Sequence, residues 1–204
     1  MSSTHTGNND DRVILIGITG GIAAFKMATL VSELVQEGRS VVVAMTEAAT
    51  RFVGPLTFQS LTGREVVTCP WTASEGRESP HIHLARCADA MLIAPCSMDM
   101  TAQLATGRCD NAVSLLAASI DRSRTPVLLA PSMNETMLDQ PSTRRNLAQL
   151  AEDGFRILEP NPGWQACRTS GRGRLPEPEE LRESLLEALA SSTGAAIERG
   201  DEEA

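Results

Sequence analysis

The chain has 204 residues, 42% of them hydrophobic, a length and composition that suit one domain with a sizeable core. Its formal net charge of -8 excludes a general nucleic-acid binder, because phosphate contacts need concentrated Lys and Arg. Five cysteines without framework spacing, a polar start (MSSTHTGNND) and no apolar run near the roughly 20 residues of a membrane span point to a cytoplasmic protein away from membranes.

Residues 1–11 read as a flexible segment. VILIGI (13–18) is a continuous apolar run closed by TGG, the pattern of a buried strand, and IAAFKMATLVSELVQEG (22–38) has helical periodicity with a stop at Gly38. VVVAM (41–45) predicts a second strand, followed by a helical or irregular stretch containing Pro55. AMLIAP (90–95) and PVLLAP (126–131) predict two more strands, and FRILEP (155–160) a weaker fifth. Helices are expected at 98–106, 110–119, 142–152 and 177–195, loops at 69–80 and 160–176, and a flexible acidic tail over 196–204. Apolar strands alternating with helices predict a single α/β domain (12–195) of Rossmann-like or flavodoxin-like type, its parallel sheet covered on both faces. Ligands on such a sheet bind beyond the C-terminal strand ends, where TGG, MTEA, APCS and APSMN fall.

Four stretches carry candidate chemistry. GITGGI (17–22) closes a strand and opens a helix, so Gly20 and Gly21 form either a phosphate cradle or only a tight turn. Its spacing is not that of a dinucleotide fingerprint and fits a mononucleotide better, with Thr46 as a further hydroxyl donor. HIHL offers His81 and His83, but residues two apart do not face together on a helix and no cysteine pair accompanies them, so no metal is expected. His81 itself reads as a surface or capping histidine or as a proton-transfer group. Asn134, after Pro-Ser-Met, reads either as a helix cap or as an amide that donates to a carboxylate. QACRTSGRG (165–173) sets Cys167 on a polar, glycine-rich loop, either an incidental thiol or a reactive group on a lid.

The segments GITGGIAAFK, MTEAATRFVGPL, HIHLARCADAMLIAP, APSMNETM and QACRTSGRGR, taken together and in order, resemble the flavin-containing cysteine decarboxylases. Within that family the likeness is greatest to the phosphopantothenoylcysteine decarboxylases of coenzyme A synthesis, and it runs from about Val13 to about Leu181. The resemblance implies FMN as cofactor, contacted by Gly20, Gly21, Ile22, Thr46, Glu47, Ala48, Ser97, Met98, Asp99, Met100 and Ala130. It implies His81, Asn134 and Cys167 as catalytic residues, and Asn134, Met137, Ala166 and Arg168 as substrate contacts. Residues 160–176 become a loop that covers a phosphorylated cysteine substrate. Relatives that act on peptide C-terminal cysteines lack a counterpart of Cys167, which favours the coenzyme A reaction. The other readings are such a peptidyl-cysteine decarboxylase, a flavin prenyltransferase, or a non-catalytic regulatory flavoprotein. The family also implies a homotrimer or a dodecamer of trimers with flavin near subunit boundaries. Bifunctional relatives carry a phosphopantothenate-cysteine ligase domain; here that step is expected from a separate polypeptide. Two departures from the family pattern, Leu138 and Arg168, fall beside the substrate segments.

Overall fold

The computed structural model describes residues 12–71 and 79–200, with side chains to 191. The segments 1–11 and 201–204, read above as flexible, and most of the loop expected at 69–80 lie outside the described residues.

Five parallel strands form the sheet: β1 (Val13–Ile18), β2 (Val41–Met45), β3 (Ala88–Cys96), β4 (Val127–Pro131) and the short β5 (Arg156–Ile157), in the order β2-β1-β3-β4-β5. Alternate residues of each strand face opposite sides, and both sides are apolar. Ile14, Ile16, Val43, Leu92 and Leu128 pack on one face with Leu30, Leu34, Phe58, Leu181 and Leu185. Leu15, Val42, Met91, Ile93 and Leu129 pack on the other with Val113, Leu116 and Leu150. This two-sided burial is why the strands read as unbroken apolar runs rather than alternating ones. The fold is a single-domain flavodoxin-like α/β fold.

The helices are α1 (Lys26–Gln36), α2 (Glu47–Thr50), α3 (Pro55–Thr62), α4 (Pro80–Cys87), α5 (Met98–Ala105), α6 (Ala112–Ser119), α7 (Glu135–Leu138), α8 (Pro141–Glu152) and α9 (Pro178–Gly200). The first helical run begins as one 3-10 turn, Ile22–Phe25, and ends at Gly38 in left-handed backbone, with the amide of Gly38 bonded to the Val35 carbonyl. The last helix extends to Gly200, beyond the expected end at 195. The largest departure from expectation is at 160–176. That segment is not a loop but an antiparallel hairpin of β6 (Asn161–Trp164) and β7 (Ser170–Arg174). Its polar and glycine-rich strands have no buried face to reveal a strand period.

Because β1 connects outward to β2 and the chain then crosses to β3, the order in which strands are added reverses between β1 and β3 while all stay parallel. That reversal opens a crevice at the C-terminal strand ends, the general ligand position of such sheets.

Candidate active site

Three helix starts converge on the crevice. The 3-10 turn begins after Gly21, α2 after Thr46 and α5 after Ser97. The Thr46 hydroxyl accepts from the Ala49 amide at 3.2 Å, and the Ser97 hydroxyl accepts from Met100 at 3.2 Å. Thr46 is therefore first a helix cap. The amides one and two places past each cap have no acceptor within their own helix, which makes such helix starts hospitable to an anion.

Thr19, which the sequence reading passed over, locks the two sides of the crevice together. Its buried hydroxyl donates to the Pro95 carbonyl at 2.6 Å and accepts from the Ser97 amide at 2.9 Å. Gly20 is needed for a neighbouring reason: a Cβ there would stand 2.6 Å from that of Ala48. The β1 and β2 loops touch because no side chain separates them.

Two adjoining cavities result. One, of about 620 Å³, is lined by Gly20, Thr46, Glu47, Ala48, Ser97, Met98, Asp99 and Met100, all expected flavin contacts, with Thr19, Arg51, Gln103 and Asn111. Asp99 is held by Gln103 at 2.8 Å, and Gln103 in turn accepts from Asn111 at 2.6 Å. The second, of about 560 Å³, is lined by Gly20, Gly21, Ile22, Lys26, Ser97, Met98, Asn134, Met137, Ala166 and Cys167, among others. Gly20, Ser97, Met98 and Met137 belong to both. Ile22, Phe25, Met137 and Trp164 are exposed apolar side chains around this second cavity. Of these, Phe25 was hidden within the apolar helical run IAAFKM, and Trp164 within a segment expected to be a loop.

The hairpin brings Cys167 to Asn134. Asn134 Nδ2 donates to Cys167 Sγ at 3.3 Å, while its Oδ1 accepts from the Thr136 amide at 2.9 Å and so caps α7. The capping reading of Asn134 is thus realised by Oδ1, while Nδ2 of the same amide faces the Cys167 sulfur rather than a carboxylate. The Thr169 hydroxyl lies 3.0 Å from the same sulfur. Hydrogen bonds from Thr169 and then Asn134 hold the Cys167 thiol below the ordinary thiol range. Burial pushes the Cys96 thiol far the other way, consistent with a packing role.

Docking of the hairpin depends on close backbone approach. Gly173 has φ +113, its carbonyl accepts from the Met133 amide at 3.0 Å, and a Cβ would come within 2.1 Å of the Met133 carbonyl oxygen. Gly171 packs on Glu135, whose Oε2 would be 2.7 Å from a Cβ. These glycines thus provide close packing rather than looseness. Arg172 clamps the hairpin onto α7 through Glu135 at 3.3 Å and Asp139 at 2.8 Å. Arg174 pairs with Glu177, which also holds Lys26 at 3.1 Å, and both cations line the second cavity.

Three expected site residues lie elsewhere within this chain. Ala130 is fully buried in β4. Arg168 occupies the exposed hairpin turn with φ 66 and does not line either cavity. His81 sits in the first turn of α4, not on a loop, and does not line either cavity. Among the described residues no group of three or more His, Cys, Asp or Glu is disposed to hold a metal ion, and no helix is long and apolar enough to cross a membrane.

With an anion-ready crevice on a flavodoxin-like sheet, the chain belongs to the flavoprotein family, whose sequence profile matches residues 2–190. It is 39% identical over 189 residues to the coenzyme A biosynthesis bifunctional protein CoaBC of Bacillus subtilis (strain 168), covering 93% of this chain and 46% of that protein. The bifunctional CoaBC of Mycolicibacterium smegmatis is 42% identical over 168 residues, covering 82% of this chain and 39% of that protein. The chain thus spans less than half the length of these curated relatives. Among solved structures, a cysteine-to-serine variant of PPC decarboxylase complexed with pantothenoylaminoethenethiol is similar at a TM-score of 0.74 and 28% identity, covering 85% of this chain and 95% of that one. The FMN-dependent cysteine decarboxylase SpaF is similar at 0.75 and 26%, covering 91% and 99%.

Proposed function

We propose that this protein is an FMN-dependent decarboxylase that converts 4'-phosphopantothenoylcysteine to 4'-phosphopantetheine. The observation that carries the proposal is the Asn134–Cys167 contact on the wall of a cavity continuous with the Gly20–Ser97 crevice. The crevice fits FMN by its chemistry. Three helix starts and the capping hydroxyls of Thr46 and Ser97 suit a phosphate, and the apolar Ile22, Met98 and Met137 suit a flat ring system.

A cysteine carboxylate resists loss of carbon dioxide, because a bare carbanion would remain at the alpha carbon. FMN, when bound, supplies the missing two-electron chemistry: the substrate thiol is oxidised to a thioaldehyde, and the enethiol left after decarboxylation is reduced. The chain's own groups orient and protonate. Asn134 Nδ2 reaches the Cys167 and Gln165 side chains, and a substrate carboxylate in the cavity would draw one of its two amide hydrogens from them. Cys167, its thiol tuned downward, gives a proton to the enethiol carbon as the product forms. Lys26 and Arg174 give the same cavity positive charge for the substrate phosphate.

His81 completes the site from a neighbouring subunit of a homotrimer or a dodecamer of trimers. Its place outside both cavities of its own chain supports this, as do the exposed Phe52 and Leu56 on the α2–α3 surface. A cytoplasmic location and a ligase that supplies the substrate belong to the same reading; an odd number of cysteines without framework spacing supports the former. The test is to release the chromophore by denaturation, identify it by chromatography, and follow the product mass from 4'-phosphopantothenoylcysteine. FMN and phosphopantetheine are expected; FAD, NAD or an unaltered substrate would refute the proposal.

A further inference from the structure

Gln165 is a buried polar residue at the head of the hairpin turn, and every polar atom it has is engaged. Its backbone amide donates to the Thr169 carbonyl at 2.8 Å, and its backbone carbonyl accepts from Arg168 at 2.9 Å, which closes the turn that carries Cys167. Its side-chain Nε2 donates to the Arg172 carbonyl at 2.6 Å and the Met133 carbonyl at 3.4 Å, joining β7 to the β4–α7 loop. Its Oε1 accepts from Asn134 Nδ2 at 3.4 Å and from the Cys167 thiol at 3.5 Å. Two carbonyls on one side decide which way the Gln165 amide faces. A flipped amide would set its oxygen against both of them and its NH2 against that of Asn134.

We infer that Gln165 is a positioning residue, which reads the docking of the hairpin on the Met133–Asn134 loop and transmits it as the alignment of the Asn134 amide with the Cys167 thiol. Gly173 makes room for it: a Cβ there would stand 3.2 Å from Nε2. Asn134 is consequently held at both ends, by the Thr136 amide at Oδ1 and by Gln165 at Nδ2. The inference deepens the decarboxylase reading and rests on it for the chemistry, while the geometry stands without it.

The test compares holoenzyme of wild type, Gln165→Met and Gln165→Glu, with FMN content and thermal unfolding measured on each. Gln165→Met keeps the length and loses both hydrogen-bonding functions. It should retain FMN and lose about 100-fold in kcat, with KM much less affected, as misplacement of a reacting group does. Gln165→Glu can replace the donor only when its carboxyl is protonated. Its kcat should therefore recover toward wild type as the pH falls from about 8 to about 5.5, a window for a carboxyl raised by burial among carbonyls. A residue that merely fills space would show no such rescue. Should the wild type leave 4'-phosphopantothenoylcysteine unaltered, the functional reading fails but the inference is still tested by alkylation of Cys167. A carboxylate beside the sulfur disfavours the thiolate, so Gln165→Glu should be alkylated more slowly than wild type at neutral pH. Wild-type kcat in Gln165→Met, equal impairment of Gln165→Glu at both ends of the pH range, or unchanged alkylation would overturn the inference.

Discussion

Asn134 Nδ2 lies 3.3 Å from Cys167 Sγ although the two residues are 33 apart in the chain, one opening α7 and the other at the tip of a hairpin. The contact exists only because the hairpin folds back on the β4–α7 loop, so the site can be taken apart without disturbing the sheet that carries it.

Gly173→Ala tests that separation. A left-handed backbone costs a residue with a Cβ about 1–2 kcal/mol, and the new Cβ also collides with the Met133 carbonyl. The expected result is loss of turnover with bound flavin kept and little change in the unfolding temperature. Loss of flavin in parallel with turnover would show that the hairpin and the crevice are one unit.

Thr19→Val addresses the opposite wall. Removing the hydroxyl leaves the buried Pro95 carbonyl and the Ser97 amide without that partner, at about 1–3 kcal/mol for an unsatisfied group. Urea unfolding should register the loss, and FMN should dissociate more readily because Ser97 is no longer fixed. Unchanged flavin affinity would remove Thr19 from the site.

The lowered Cys167 thiol predicts a pH dependence. A depressed pKa places more thiolate at a given pH, so iodoacetamide alkylation should rise with pH through a midpoint below the ordinary thiol range. As a proton donor the same group works while protonated, so turnover falls as pH rises through that midpoint. Thr169→Val removes the largest cause of the shift and should move both profiles to higher pH. Identical profiles in the two proteins would discard the Thr169–Cys167 interaction.

The placement of His81 predicts complementation. His81→Asn and Cys167→Ser proteins should each be inactive in full turnover, and dissociating and reassembling them together should restore activity in mixed trimers, where one site receives both native residues. No recovery in verified mixed trimers would return His81 to its own chain's surface.

The sheet was legible because burial on both faces leaves only Asp89, at the entry to β3, as a charged or polar residue within β1 to β4. The crevice was legible through Gly20 and Gly21 at the end of an apolar strand, whereas the capping roles of Thr46 and Ser97 emerged only from the fold. The hairpin was not, since its strands are held by Arg172, Gln165 and backbone bonds to Met133 rather than by an apolar face. Thr19 was hidden for a similar reason: a threonine after an apolar run looks like any turn residue, and its partners lie 76 and 78 positions away. Asn134 and Cys167 were candidates from their local sequence, and the resemblance of the surrounding motifs gave them catalytic roles, while the long-range contact between them needed the fold.

The central claim, that Cys167 protonates the enethiol, is tested most directly by anaerobic single turnover of Cys167→Ser with flavin absorbance and product mass read together. Serine matches the size but is a far weaker acid than a thiol of pKa about 8.5. The account predicts release of carbon dioxide, a product two hydrogens lighter than phosphopantetheine, about one equivalent per flavin, and flavin that stays reduced. Fully reduced product at a near-normal rate would contradict it.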